Sequence, residues 1–311
     1  MGAITDVPGI RVGHIQKTDA GWLSGVTVVL PPPGTVGSVD VQGGGPATHE
    51  TDALDPTTLV GAVDAVVLTG GSAYGLVSAS GAQRWCEENN RGFAVPGGVV
   101  PIVPAAAIFD LGRGGDFSAR PTAEMGYAAT AAAAAQKEGH DVGRGNVGAG
   151  TGAVIARTFK GGVGTASATL DNGVVVGAIA VVNALGLPFD QTRPAGPAPV
   201  KAATTTNTTL VVVATNAVLD VAECKRTASA AHAGIARALN PSHTLADGDI
   251  VFCLATGAVP LDRTDEGARQ VSLITLQSAA ADVVRLAILD GVASAQAVST
   301  PAGDYGAYGA Q

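Results

Sequence analysis

Thr208 sits where a run rich in Pro, Ala and Thr gives way to a run of β-branched residues. The stretch 188–207 reads PFDQTRPAGPAPVKAATTTN and has no periodicity, the composition of an exposed linker. It meets TTLVVVATNA, an apolar segment of strand type. A threonine at such a junction has a particular chemistry open to it. Once the peptide bond before it is cut, its own α-amine, with an unperturbed pKa of about 8, can take the hydroxyl proton, and no separate histidine is needed. The cut itself can use the same hydroxyl in an N-to-O acyl shift, which works best where the preceding residue tolerates unusual backbone angles, as Asn207 does. Asn207-Thr208 alone is weak evidence, because Thr commonly begins a strand.

A second feature adds to it. In HTLADGDIVFCLATGA, Asp247 and Asp249 flank Gly248 just before another apolar run. Such a triplet is an ordinary polar turn or a loose metal loop. Two carboxylates at a strand mouth can also orient an ammonium and polarise a hydroxyl.

Other chemistries fail on spacing. TGGSAYG lacks the second glycine that a nucleophile elbow places two residues after its serine. GNVGAGTG has Gly148 and Gly150, but Ala153 stands where a dinucleotide fingerprint needs its third glycine, and strand-like residues follow. The five histidines are scattered without HExxH, and three cysteines without CxxC suggest no metal site and no cofactor. The cysteines read as small buried hydrophobes in a reducing compartment.

The elements that must carry these residues read as alternating strands and helices. Strands are expected at 26–30, 65–68, 152–156, 173–182, 210–214 and 250–254, and helices at 72–88, 121–136, 218–239 and 276–293. Helices covering the outer faces of packed sheets follow from that order. Only 4% of residues are aromatic while 43 are glycine, so the core must be built from Ala, Val, Leu and Ile with backbones in close approach. The net charge of -8, without a basic run, argues against nucleic acid as a partner. No uninterrupted apolar run of membrane-spanning length occurs, and MGAITDVPGIRVGH has no signal-peptide pattern, so a cytoplasmic protein is expected.

At this point the chain resembles a known family. ITDVPGIRVGH, GVTVVLPPPG, GGPATHETDALDP, LTGGSAYGL, FKGGVGTAS, AVVNALG, NTTLVVVATNA and DGDIVFCLATG occur in the order found in the self-processing aminopeptidases and amidases. That family includes the L-aminopeptidase D-amidase/D-esterase, the β-peptidyl aminopeptidases and the nylon-oligomer endo-hydrolase. The resemblance covers nearly the whole chain and is strongest to actinobacterial-type members. It implies an α/β four-layer αββα sandwich, similar to N-terminal nucleophile hydrolases but differently connected, formed by residues 1–311 as one domain. It implies processing between Asn207 and Thr208 into fragments 1–207 and 208–311, and a tetramer of processed protomers. Thr208 matches the nucleophile and Asn183 the side-chain amide that donates to the oxyanion. Lys160 matches a lysine lining the site, and Asp247 and Asp249 match the acidic pair of the nylon-oligomer hydrolase. The aminopeptidase branch has Ser and Glu at those two places and Ser as nucleophile. Phe109 stands where the family has a tyrosine, and it and Tyr74 are expected to line the substrate. The expected activity is therefore hydrolysis of linear amides or small peptides. An aminopeptidase releasing N-terminal residues, and a non-catalytic scaffold that keeps the fold, are the competing expectations.

Overall fold

The computed structural model describes residues 2–189 and 207–309; apart from Pro188, Phe189 and Asn207, the expected linker lies outside the described residues. Ten strands build two five-stranded sheets: Arg11–Lys17 (β1), Ser24–Leu30 (β2), Val36–Val41 (β3), Thr48–His49 (β4), Val66–Thr69 (β5), Ala105–Ala107 (β6), Val163–Thr169 (β7), Val175–Asn183 (β8), Thr208–Ala217 (β9) and Ile250–Val259 (β10). The first sheet runs β1-β2-β5-β6-β4 and the second β7-β8-β9-β10-β3. The longer helices are Ser78–Glu88 (α1), Ala123–Ala134 (α2), Val221–Ala238 (α3) and Glu266–Ala293 (α4).

Side-chain alternation along β9 explains the layering. All ten of its residues are buried, so both of its faces lie against protein instead of one facing solvent. Leu210, Val212 and Ala214 enter one core, shared with Val29, Val66 and Leu68 of the first sheet. Val211, Val213 and Ala217 enter another, shared with Ile235 of α3 and Leu276 and Val284 of α4. A third core joins Val26, Val28 and Val67 to Ala82 of α1 and to Met125 and Ala129 of α2. Three cores between four layers make an αββα sandwich, as the resemblance implied.

Most expected elements are present with shifted ends. The run 152–156 is an exception: only Val154–Ile155 pairs, with Phe159–Lys160, because Ala156 and Arg157 turn through positive φ. The segment 72–88 divides into Ser72–Gly75 and Ser78–Glu88. Helix α4 begins ten residues before its expected start, capped by Asp265, whose carboxylate accepts the Ala268 N–H. Its first turns were illegible because Val271 and Ile274 are exposed, which blurs the apolar face. By length and composition α4 is long enough to cross a membrane, yet Leu276, Ala280, Val283 and Ile288 are buried in the core beneath it.

Strands β1, β3 and β7 were not expected, because RVGHIQK, VGSVDV and VGTASAT carry too few large apolar residues. Their glycines show what they do instead. A Cβ on Gly164 of β7 would lie 2.0 Å from the Gly291 nitrogen and 2.2 Å from the Ala287 carbonyl oxygen, so α4 packs backbone against backbone on the sheet. Gly164→Val is therefore expected to lower stability by about 1–3 kcal/mol or more through overpacking. A denaturant midpoint equal to that of the wild type would show that this contact is looser than described.

Candidate active site

Strand register brings the site together. Thr208, the first residue of β9, lies directly opposite Asn183, the last residue of β8. Thr208 shares a strand face with Leu210 and Val212, and Asn183 shares one with Val181 and Ile179. Both side chains therefore look into the mouth of the space between the sheets. On the other side of β9, Asn207 forms a parallel bridge with Asp247, which precedes β10. The Asn207 N–H donates to the Ala246 carbonyl at 2.9 Å, and the Gly248 N–H donates to the Asn207 carbonyl at 2.8 Å.

The peptide bond before Thr208 is thus clamped, and its carbonyl oxygen accepts twice. The second donor is the Thr208 hydroxyl, 2.5 Å away. The hydroxyl is thereby held beside this peptide bond, whose carbonyl a backbone N–H also polarises. Gly248 has no room for a side chain, since a Cβ there would lie 2.8 Å from Thr208 Oγ1. The run Gly43–Gly44–Gly45 closes over the same loop, with the Gly45 N–H donating to the Asp247 carbonyl at 2.8 Å.

The acidic pair is brought to the head of β9, and its two members are held differently. Asp249 Oδ1 accepts the Thr209 N–H at 2.7 Å. Asp249 Oδ2 accepts the His243 N–H at 2.9 Å and lies 2.9 Å from His243 Nδ1. Asp247 Oδ2 accepts the Thr244 N–H at 2.9 Å and its hydroxyl at 2.6 Å. Burial and the charge of Asp249 push the Asp247 carboxyl above the usual carboxylate range, against the pull of the Thr244 donors. Burial favours neutral His243, but its contact with Asp249 outweighs this and raises the imidazole above its usual value.

Opposite the acidic pair, a basic group stands behind Asn183. Asn183 Oδ1 accepts from Arg113 Nη1 at 2.5 Å and from the Val154 N–H at 3.1 Å, while Nδ2 reaches the Phe109 carbonyl at 3.5 Å. Lys160 is fully buried, and its ammonium donates to the carbonyls of Gly150, Ala153 and Gly161 at 3.2, 2.6 and 3.0 Å. Burial and then the nearby Arg113 charge lower its pKa to about 7, with Asp110 opposing. Lys160 therefore braces the turn that carries Val154, one step from Asn183. Phe109 is half-buried beside Asn183. Tyr74 is 55% exposed, and the Arg120 guanidinium lies 3.9 Å from its ring centroid.

Four positions escaped the sequence reading: His243, Thr244, Gly248 and Arg113. His243 and Thr244 begin the same HTLADGD run as the acidic pair, and Arg113 follows Phe109 by four residues. Proximity to those landmarks was the available signal. Among the described residues no cluster of His, Cys, Asp and Glu could hold a metal ion.

This sandwich, with a threonine clamped at the head of a central strand, belongs to the class of amide-bond hydrolases with the N-terminal nucleophile architecture. The profile of peptidase family S58 matches residues 2–305, and the chain belongs to that family. It is 50% identical over 337 residues to an uncharacterized aminopeptidase of Mycobacterium tuberculosis, covering 96% of each chain. It is 28% identical over 323 residues to the 6-aminohexanoate-oligomer endohydrolase of Kocuria sp., covering 92% of this chain and 84% of the relative. A Burkholderia sp. beta-aminopeptidase structure superposes with a TM-score of 0.73 at 26% identity, covering 99% of this chain and 91% of the other. The L-aminopeptidase D-Ala-esterase/amidase of Ochrobactrum anthropi, described as a variant of the Ntn hydrolase fold, does so with a TM-score of 0.75 at 23% identity, covering 98% and 90%.

The His243–Asp249 pair has a pH signature. Because the folded-state pKa of His243 is raised, its stabilising contribution is full below the unfolded value of about 6.5 and fades as pH rises through the folded value. The stability difference between wild type and His243→Gln, read from urea midpoints, is expected to be larger near about pH 6 than near about pH 9. Equal differences would refute the ion pair.

Proposed function

We propose that the chain cuts itself between Asn207 and Thr208, and that Thr208 then hydrolyses linear amides as an N-terminal nucleophile. The observation that carries this is the Asn207 carbonyl, held between the Thr208 hydroxyl at 2.5 Å and the Gly248 N–H at 2.8 Å. In the first step Thr208 Oγ bonds to the Asn207 carbonyl carbon, and the C–N bond breaks. The hydroxyl proton passes to the departing nitrogen, leaving an ester. Water then cleaves the ester, giving the Asn207 carboxylate and a free Thr208 with its α-amine. Turnover repeats this chemistry on substrate: Oγ attacks the amide carbonyl, the α-amine takes the proton and delivers it to the leaving amine, and water resolves the acyl-enzyme.

The side chains divide the work. Asn183 donates to the developing oxyanion. Asp247 and Asp249 hold the amine and hydroxyl in place, and Lys160 keeps the wall behind Asn183 in shape. Phe109 and Tyr74 line the substrate. The uncut chain is inactive, because Thr208 has no free amine and is only 3% exposed. A tetramer of processed protomers in the cytoplasm completes the reading; three free, buried cysteines support a reducing compartment.

Identity to the mycobacterial aminopeptidases favours a second reading, in which the acidic pair binds a substrate's ammonium and the enzyme trims N-terminal residues. Turnover of a free-amine peptide but not of its N-acetylated form would select it. Under the first reading, 6-aminohexanoate oligomers or other linear amides are shortened, and a lack of shorter products counts against it.

Processing is tested on a denaturing gel with mass analysis. Wild type is expected to yield two fragments meeting at 207/208, and Thr208→Ala a single chain. Gly248→Ala is expected to slow the cut by about tenfold or more, since its methyl would crowd Thr208 Oγ1. Amidase activity should rise in step with cleavage. A wild-type chain that stays intact through long incubation would sink the proposal.

A further inference from the structure

An oxyanion donor made from an asparagine side chain must be told which way to face. The two ends of a carboxamide are nearly the same size, but one donates and the other accepts. Turned the wrong way, Asn183 would present an oxygen to the developing negative charge.

We propose that Arg113 is a positioning residue that holds the Asn183 amide in its donating orientation. This rests on the reading of Asn183 as the oxyanion donor. Asn183 Oδ1 accepts from two donors, Arg113 Nη1 at 2.5 Å and the Val154 N–H at 3.1 Å. Rotating the amide would set its NH₂ against both of them and lose two hydrogen bonds. The guanidinium bond is the stronger, because it is charge-assisted. Meanwhile Nδ2 has only a long 3.5 Å contact with the Phe109 carbonyl, which leaves donor capacity facing the mouth where Thr208 stands in register.

Arg113 is itself held from three directions. Its Nη1 also donates to the Gly152 carbonyl at 2.5 Å. Its N–H donates to the Asp110 carbonyl at 3.2 Å. Its own carbonyl accepts the Thr300 hydroxyl at 2.7 Å, tying it to the hairpin formed by Val298–Thr300 and Gly303–Tyr305. Nη1 thus bridges the turn bearing Val154 and the end of the strand bearing Asn183. Both bonds leave this one nitrogen, and a lysine side chain ends one bond short of the position it occupies.

Two other roles for Arg113 give different results. It could serve only as the charge partner of buried Asp110, or it could act on the oxyanion directly through its field. A double-mutant cycle separates these from positioning. With the full-length processed protein and an amide that wild type hydrolyses, Arg113→Met is expected to lower kcat by about 10- to 100-fold with KM within about twofold. In the Asn183→Ala background the same change should cost less than about twofold, since there is no amide left to orient. Equal losses in both backgrounds, or a loss confined to KM, would overturn the proposal. If Arg113→Met does not fold, Arg113→Lys keeps a charge beside Asp110 and carries the test. A several-fold fall in kcat with an unchanged melting temperature is expected there, and wild-type kcat would refute positioning. Wild type that hydrolyses no amide in a broad panel would refute the proposed function instead. The geometry would still be read from the Asn183 side-chain ¹H–¹⁵N resonances, assigned by their loss in Asn183→Asp. They are expected to shift in Arg113→Lys; unmoved resonances would overturn the assignment.

Discussion

The site depends on the register of one strand. β9 is a central strand, paired antiparallel with β8 and parallel with β10, and every residue along it is buried. Because side chains alternate, a slip by one position would exchange the contents of the two cores that β9 divides. Leu210 and Val212 would leave the space between the sheets, and Val211 and Val213 would enter it. That cost fixes Thr208 opposite Asn183 and Asn207 beside Asp247. The clamp on the Asn207 carbonyl is therefore a consequence of core packing several residues away.

Small residues give the second condition. The loops that converge on Thr208 approach as backbone rather than as side chains. A Cβ on Gly43 would lie 2.2 Å from the Asp249 nitrogen, and one on Gly161 would lie 1.9 Å from the Val182 carbonyl oxygen. Glycines at these places let backbone N–H and C=O groups come close to the head of β9. Backbone dipoles held this way need little reorganisation during a reaction, which suits electrostatic stabilisation of a developing charge.

Charge is arranged on two sides of the paired ends of β8 and β9. Asp247 and Asp249 face His243 and the Thr244 donors on one side. Lys160 and Arg113 stand with Asp110 on the other, the Lys160 ammonium and Arg113 Nη1 donating to carbonyl oxygens. Buried charges persist when hydrogen-bonded, as the Lys160 ammonium is by three carbonyls and the Asp249 carboxylate by the Thr209 and His243 N–H groups. The acidic cluster thus anchors the backbone of β9 next to Thr208, and the basic one bonds Asn183, the residue opposite Thr208 in the register.

What the sequence determined by itself was local. The shift from linker to apolar strand singled out Thr208, the Asp-Gly-Asp triplet singled out Asp247 and Asp249, and the long apolar runs exposed the central strands. Asn183, Lys160 and Phe109 came from resemblance, because nothing in their own neighbourhoods distinguishes them. The tertiary structure alone decided the rest. Arg113 meets Asn183 across 70 residues, and no periodicity records such a contact. His243 was one of five scattered histidines until a left-handed turn, at a φ of 55°, set its ring against Asp249. Gly248 read as a turn residue, whereas its N–H polarises the Asn207 carbonyl. Local sequence encodes propensity and burial. The orientation of one amide or one carbonyl is fixed by donors arriving from distant strands, and those are placed only when the two sheets close on each other.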